Sequence, residues 1–514
     1  MPALSHRYLP LFFCCSALLS SPARAQQPDT PAPSAAESSP EPPATEVQQV
    51  PDNAAPSPTG PAGSEAEVSP TAAAEAPTET GSQAAPEATP PAPAAEPTEP
   101  TEPTTTSEGP VLDLPEDAEA QAGWAPPADA APAADRPAAV DMTRGLKQAR
   151  LDSPTGVGGY AELHYNLKNL DDDAARQSEL DMHRLVAFLA KRFGEQLSFY
   201  AEIEVEHALA KPGSPGQVGI EQATFDYLLI GQQLGVRAGI VLVPMGIINQ
   251  WHEPPIFHGV ERPIIESTII PSTWREGGVG IFGEAVEGLR YELYLVGGLN
   301  AAGFRIQDGI RGGRQSVANA RADGLALTGR VELEPSLGVV AGISGYFGLA
   351  GPNADFYDAA GSGLELDVPV LGLSADVRGR YKGFEGRAVF AHFSIGDSAL
   401  LRQAADVNGD PLGIDVGSRA LGLYGEIAYD ALHLLETEHQ LLPFVRVERY
   451  DPVAAVDGRE ESDEDKALAA TALILGLSYR PIPQVIFKFD FIRRNHDAGG
   501  DDSSEINLGV GTMF

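Results

Sequence analysis

Two histidines and two glutamates lie within positions 250–263, which read QWHEPPIFHGVERP. Imidazole and carboxylate groups at short spacing are common ligands of zinc and common general acids and bases. The second histidine follows the first by six residues, whereas a zinc-protease helix places them four apart. Pro254 and Pro255 also prevent an α-helix, because proline lacks the backbone N–H and clashes with the preceding turn. We therefore predict no metal site and no cofactor.

A hydrolytic dyad is the other catalytic interpretation of this segment. It would pair His252 or His258 with Glu253 or Glu261 for general acid–base catalysis. Because the segment contains no serine partner, we predict no catalytic residue and keep a hydrolase as an alternative.

The amino-terminal part of the chain predicts export. Residues 1–25 combine a short basic stretch, an apolar run and an Ala-Arg-Ala triplet, as in a secretory signal peptide. The 2 cysteines, Cys14 and Cys15, lie inside the apolar run, so the exported chain would contain no thiol. Residues 26–150, rich in Pro, Ala, Glu, Thr and Ser, predict a disordered acidic spacer. A net charge of −37 argues against nucleic acid as a partner.

Residues 155–514 have a regular alternation of apolar and polar side chains, as in VIFKFDF at positions 485–491. A period of two indicates β-strands with one apolar and one polar face. About sixteen such segments follow one another, and short connections alternate with long polar ones. This pattern is typical of a transmembrane antiparallel β-barrel, whose apolar face contacts lipid and whose polar face lines water. We predict an all-β fold of this kind.

The final predicted strand, EINLGVGTMF, ends on Phe514. That terminal aromatic resembles the signal by which outer-membrane proteins reach the barrel-assembly machinery. We expect the protein in the bacterial outer membrane, in contact with lipid and lipopolysaccharide, with residues 26–150 in the periplasm. The acidic segments NLDDDAARQSELD and DGREESDEDK would either bind divalent cations that bridge to lipopolysaccharide or form solvated loop surface.

Basic side chains recur on the predicted inner face of the barrel. They would attract anions, including phosphate, to a water-filled path. Acidic side chains accompany them on the same faces, so internal salt bridges are an equally good interpretation. The predicted pore-lining residues are Arg290, Arg330, Arg378, Arg380, Arg387, Arg446, Lys488, Glu292 and Asp490.

Three segments resemble one family: VRAGIVLVPMGIINQWHEPPIFHGVERPIIESTIIPSTWREGGVGIFG, LSADVRGRYKGFEGRAVFAHFSI and PFVRVERYD. They resemble the phosphate-selective porin (O and P) superfamily, and the resemblance covers roughly residues 155–514. It implies a sixteen-stranded barrel, a third long loop folded into the barrel, and a homotrimer. That loop would be residues 244–274, which contain no lysine and so depart from the basic constriction of phosphate-selective members.

The prolines of residues 250–263 would stiffen this constriction loop. Trp251 and Phe257 are expected to wedge it against the wall, while its polar side chains either touch the aqueous path or bond the loop to the wall. The predicted constriction residues are Trp251, His252, Glu253, His258, Glu261, Arg262 and Arg275.

These patterns together predict a passive diffusion channel for small hydrophilic solutes, with anions such as phosphate as possible cargo. Two other classes stay open from the sequence. One is an outer-membrane hydrolase that uses the loop histidines, and the other is an envelope tether in which the acidic spacer is the functional part.

Overall fold

The computed structural model describes residues 155–172, 175–210, 215–336 and 338–514. The predicted signal peptide (residues 1–25) and spacer (residues 26–150) lie outside the described residues.

Sixteen long strands form the main sheet, and they are numbered here in chain order. They are β1 Thr155–Lys168, β2 Gln177–Phe193, β3 Leu197–Glu206, β4 Gln217–Ile230, β5 Leu234–Leu242, β6 Arg275–Val286, β7 Leu289–Gly297, β8 Leu325–Ser336, β9 Val339–Leu349, β10 Pro369–Tyr381, β11 Phe384–Ile395, β12 Arg419–Tyr429, β13 Gln440–Ala455, β14 Ala470–Ile482, β15 Val485–His496 and β16 Ser503–Met513.

The sheet closes on itself. Each strand pairs antiparallel with its neighbours in sequence, and β1 pairs with β16 from Tyr160 opposite Met513 to Leu167 opposite Ile506. Closure removes the open sheet edges whose backbone groups could not be satisfied in hydrocarbon. The predicted all-β antiparallel barrel of sixteen strands is confirmed.

Strand β12 shows how the alternating sequence divides between the two faces of the barrel. Leu421, Leu423 and Ile427 point outward and are exposed, whereas the intervening Tyr424 and Glu426 are buried inside. Exposed leucine, isoleucine, valine and phenylalanine recur in this way around the barrel. An apolar outer face of this extent is the surface that a lipid environment accommodates and water does not.

The two ends of the barrel differ in their connections. One end, the turn rim, carries the tight turns such as Lys382–Gly383, where both residues have positive φ (48° and 82°) as in a type I′ hairpin. Its longest connection is residues 430–439. The other end, the loop rim, carries the connections 169–176, 207–216, 243–274, 298–324, 350–368, 396–418, 456–469 and 497–502.

Regular structure within the loops is short. The helical turns are the 3-10 turns Pro254–Ile256, Ala301–Gly303, Arg311–Gly313 and Gly351–Asn353 and the α-helical turns Ile265–Thr268, Ser398–Leu401 and Asp463–Ala467. A two-stranded ribbon pairs Phe356–Tyr357 with Gly363–Leu364. Among the described residues, every helix falls short of the length and apolar character needed to cross a membrane.

Candidate constriction site

Residues 244–274, here called the constriction loop, fold into the barrel and pack against its inner wall. The loop presents a row of buried apolar side chains that join inward-facing residues of the wall in one core. The loop contributes Met245, Ile247, Ile248, Ile256, Phe257, Ile265, Ile269, Ile270 and Trp274 to this core. The predicted inward-folded third loop is thus present.

Glycines in the wall make room for the loop. A Cβ added to Gly511 of β16 would lie 2.3 Å from the Cβ of Pro254, and one added to Gly422 of β12 would lie 2.9 Å from the side chain of Ile265. Because real Cβ atoms do not approach so closely, a side chain at either position would push the loop away from the wall.

Inward-pointing side chains of several strands accept hydrogen bonds from the backbone of the loop. Val260 N donates to Asp490 Oδ2 of β15 at 2.6 Å, and Ile265 N donates to Glu448 Oε2 of β13 at 3.0 Å. Such bonds satisfy backbone groups that would be costly to bury without partners. They fix the height of the loop in the barrel.

Glu266 ties two parts of the loop to each other and to the wall. Its Oε2 accepts hydrogen bonds from the backbone N–H groups of Ile247 and Ile248, at 2.7 and 2.5 Å. Its Oε1 accepts one from the Tyr424 hydroxyl of β12 at 2.7 Å. No local sequence pattern marks this residue, because its partners lie 18, 19 and 158 positions away.

His258 lies between two carboxylates of the wall. Its Nδ1 is 2.8 Å from Glu426 Oε1, its Nε2 is 3.2 Å from Glu385 Oε2, and its ring stacks on Phe444. The side chain is buried, as is that of Glu253. Buried side chains do not line a water-filled path, so of the two expectations for polar loop residues His258 meets the second, a bond to the wall. His258 therefore anchors the loop to the wall.

His252 is the second buried anchor. Its Nε2 is 3.2 Å from Glu221 Oε2 of β4, and Arg184 of β2 donates to its backbone carbonyl at 3.3 Å. Pro254–Ile256 forms a single 3-10 turn between the two histidines. Because both imidazoles are enclosed by loop and wall, neither is placed to meet a substrate of a hydrolase.

The two aromatic residues expected to wedge the loop differ in burial. Phe257 is fully buried, and the ammonium of Lys488 on β15 lies 3.6 Å from the centre of its ring. Trp251 remains partly accessible and packs against the apolar core. Phe257 therefore contacts the wall by a cation–π interaction.

Most of the basic residues predicted to line the pore are tied into ion pairs along the wall. Arg330 forms two bonds to Asp376, at 2.6 and 2.9 Å, and both side chains are buried. The other pairs are Arg290 with Glu332 and Glu334, Arg378 with Glu332, Arg387 with Glu426, and Arg446 with Glu426 and Glu448. These arginines brace the barrel interior.

The other predicted lining residues also have neighbours on the inner face. Glu292 accepts from Gln250 of the constriction loop and from Tyr294, at 3.1 and 2.8 Å. Asp490 accepts from Asn507 of β16 at 2.9 Å. Arg380, partly buried, stands opposite Glu385 in the pairing of β10 with β11.

Four arginines lie close together where the constriction loop, the loop of residues 298–324 and the start of β6 come into contact. Arg262 donates to Thr273 Oγ1 at 2.9 Å within that loop, and Arg275 begins β6. Arg311, from the loop of residues 298–324, donates to the carbonyl of Ser267 at 3.0 Å, and Arg314 donates to the carbonyl of Ser272. We call Arg262, Arg275, Arg311 and Arg314 the arginine cluster.

The arginine cluster carries concentrated positive charge. Burial lowers the pKa of Arg314 to about 10, and the nearby charges of Arg311 and Arg275 lower it too, while the carboxylate of Glu276 acts in the opposite direction. In the described part of the chain, none of the four forms a salt bridge, unlike the wall arginines. Nε and Nη2 of Arg262 and Nε of Arg275 also lack a hydrogen-bond partner there. All four side chains are partly accessible.

Sequence reasoning found only half of this cluster. Arg262 and Arg275 were predicted from the constriction loop and its end. Arg311 and Arg314 lie in IRGGRQS, whose glycines suggest only a loop, and no local pattern links that loop to residues 267–272.

An uncharacterized protein of Aquifex aeolicus (strain VF5) is 33% identical to this chain over 345 residues, which are 66% of this chain and 76% of the relative. The chain belongs to the same family as this Aquifex protein. No protein-family model matches the sequence, so the resemblance to the phosphate-selective porin superfamily stays a prediction.

Three solved outer-membrane proteins can be aligned with the chain. The outer-membrane channel DcaP of Acinetobacter baumannii has a TM-score of 0.46 at 11% identity and covers 70% of this chain and 97% of its own. The anion-selective porin of Comamonas acidovorans has a TM-score of 0.42 at 12% identity, and the alignment covers 70% of this chain and 100% of that porin. OprB of Pseudomonas putida has a TM-score of 0.46 at 9% identity, and the alignment covers 72% of this chain and 97% of OprB.

Proposed function

We propose that this chain forms an outer-membrane channel through which small hydrophilic solutes diffuse passively, with anions favoured at the constriction. The observation that carries the proposal is the arginine cluster beside a loop folded into a closed barrel. Such a channel would select solutes by the width of the pore and by the charges of its lining, without a chemical step.

The preference for anions follows from the difference between the two groups of arginines. A wall arginine such as Arg330 already has its carboxylate partner, so it presents little net charge to a passing ion. Among the described residues the arginine cluster forms no salt bridge, and the carboxylate of Glu276 acts on Arg314 only from a greater distance. A chloride or phosphate ion at the accessible parts of these guanidinium groups would balance their charge, and phosphate suits the fork of guanidinium donors.

The same proposal sets the surroundings of the channel. The exposed apolar side chains of the outer face would contact lipid, with lipopolysaccharide at the loop rim. The ring of Phe514 is exposed while its backbone pairs with Gly159, so it is available for recognition by the barrel-assembly machinery. We propose a homotrimer on the resemblance alone, and the acidic spacer would extend into the periplasm.

The test is the reversal potential of the full chain in a planar bilayer under a potassium chloride gradient, repeated with added phosphate. We expect an anion preference and a fall in chloride current when phosphate is added. Cation preference would contradict the role given to the arginine cluster. Absence of any conductance would overturn the channel itself and favour the tether or hydrolase.

A further inference from the structure

A second group of side chains that can bind an ion lies near the loop rim, where β2 begins and β3 ends. Asp181 and His183 both belong to β2, and His207 directly follows β3. Nδ1 of His207 lies 2.8 Å from Asp181 Oδ2, and Nδ1 of His183 lies 3.3 Å from the same oxygen. Two imidazoles thus converge on one carboxylate oxygen.

This spacing fits a small transition-metal ion. One ligand atom from each of the three side chains lies within 4.8 Å of the others. Zinc binds imidazole nitrogen and carboxylate oxygen at about 2.0–2.2 Å, and tetrahedral coordination then separates neighbouring ligand atoms by about 3.4 Å. Two of the three observed separations, 2.8 and 3.3 Å, are close to this value. The third lies within 4.8 Å, so side-chain movements would bring the three ligand atoms to a metal.

The group is open to solvent on one side. The side chains of His183 and His207 are 33% and 34% exposed, and that of Asp181 is 15% exposed. A metal could enter from the loop rim, and a fourth coordination position would remain for water. The buried group Glu202, Glu221 and His252 also has ligand spacing, but its side chains are fully enclosed, so an ion would have no route to it.

His164 of β1 holds this group in place from below. Its ring stacks on that of His183, with 4.6 Å between centres and 13° between planes. Its Nε2 is 3.1 Å from Glu162, and its Nδ1 is 3.1 Å from Glu261 of the constriction loop. These contacts restrict the rings, as second-layer contacts do in metal sites, and they connect the group to the loop that narrows the barrel.

We propose that Asp181, His183 and His207 form a binding site for a divalent transition metal, with Zn²⁺ as the probe that represents the class. Two imidazoles with one carboxylate favour Zn²⁺, Cu²⁺, Ni²⁺ or Co²⁺ over Mg²⁺ and Ca²⁺, which prefer all-oxygen ligands. The site is independent of the arginine cluster and of whether the barrel conducts.

The test is calorimetric titration of ZnCl₂ into the untagged, detergent-solubilised full chain, with bound Co²⁺ examined by visible absorption. We expect one Zn²⁺ per chain and the intense visible bands of four-coordinate Co²⁺. His183→Ala, His207→Ala and Asp181→Asn should each weaken binding at least tenfold. His392→Ala on β11 and His439→Ala on the turn rim are matched controls that should leave binding unchanged.

Absence of Zn²⁺ binding, unchanged affinity in His207→Ala, or displacement of Zn²⁺ by equimolar Mg²⁺ would overturn the site. Heat-dependent mobility on gels reports whether each variant still forms the barrel, and His207→Gln replaces His207→Ala if that variant does not. Because binding is measured without conductance, a protein that binds Zn²⁺ but does not conduct would overturn only the proposed channel.

Discussion

Nδ1 of His258 lies 2.8 Å from Oε1 of Glu426, although the two residues are 168 positions apart in the chain. This contact fastens the constriction loop to strand β12 in the buried interior. Glu426 also pairs with Arg387 and Arg446, so one carboxylate connects the loop to the braced wall.

Replacing His258 should loosen the loop. His258→Ala removes one hydrogen-bond partner from each of two buried carboxylates, Glu385 and Glu426, and hydrogen bonds to charged groups contribute about 1.5–3 kcal/mol each. We expect a noisier, less uniform single-channel current in planar bilayers. His392→Ala changes a histidine on the outward face of β11, the strand that carries Glu385, and should leave the current unchanged. A quiet, native current in His258→Ala would show that the anchor is dispensable.

The arginines contributed by the loop of residues 298–324 should govern ion preference. The double change Arg311→Gln and Arg314→Gln removes two positive charges while keeping polar side chains of similar length. We expect the reversal potential to shift toward cation preference and the phosphate block to weaken several-fold. Arg321→Gln is the control from the same loop, since Arg321 is paired with Asp323 and Asp355. Equal shifts in both variants would mean that general loop charge, and not the cluster, sets the preference.

Gly219 on β4 should control the space beside Arg275. A Cβ at Gly219 would lie 3.0 Å from Nη2 of Arg275, so Gly219→Val must displace the guanidinium and narrow the path. We expect a lower single-channel conductance. Gly425→Val is the matched control, because a Cβ there meets no atom within 4 Å. If Gly219→Val conducts as well as the unmodified protein, the solute path does not pass beside Arg275.

The pair formed by Arg330 and Asp376 should matter for stability. Asp376→Ala removes the carboxylate that accepts two hydrogen bonds from the buried guanidinium of Arg330. Breaking a buried ion pair costs about 3–5 kcal/mol. We expect a matching fall in the free energy of unfolding, measured with guanidinium chloride by tryptophan fluorescence. Asp323→Ala breaks an exposed pair with Arg321 and should have little effect, because solvent screens such pairs. A similar loss in both variants would contradict this distinction.

The sequence by itself determined the barrel. Alternation such as that of Leu421, Leu423 and Ile427 with Tyr424 and Glu426 assigns each side chain to a face, because side chains of a strand alternate strictly. Short and long connections then determined which residues share a rim. That the third long connection folds inward was implied by the family resemblance of residues 155–514, while the prolines of residues 250–263 indicated only that this segment is stiff.

Only the tertiary structure decided which polar groups pair and which do not. For His258 the sequence left open contact with the water path or a bond to the wall, and its burial between Glu385 and Glu426 corresponds to the bond. Alternation gives the face of a residue but not its height or its partner across the interior. Arg314 and Arg275 likewise come close because the loop of residues 298–324 folds over the start of β6. Such contacts join residues distant in sequence, and their energies depend on burial and distance, which no local pattern specifies.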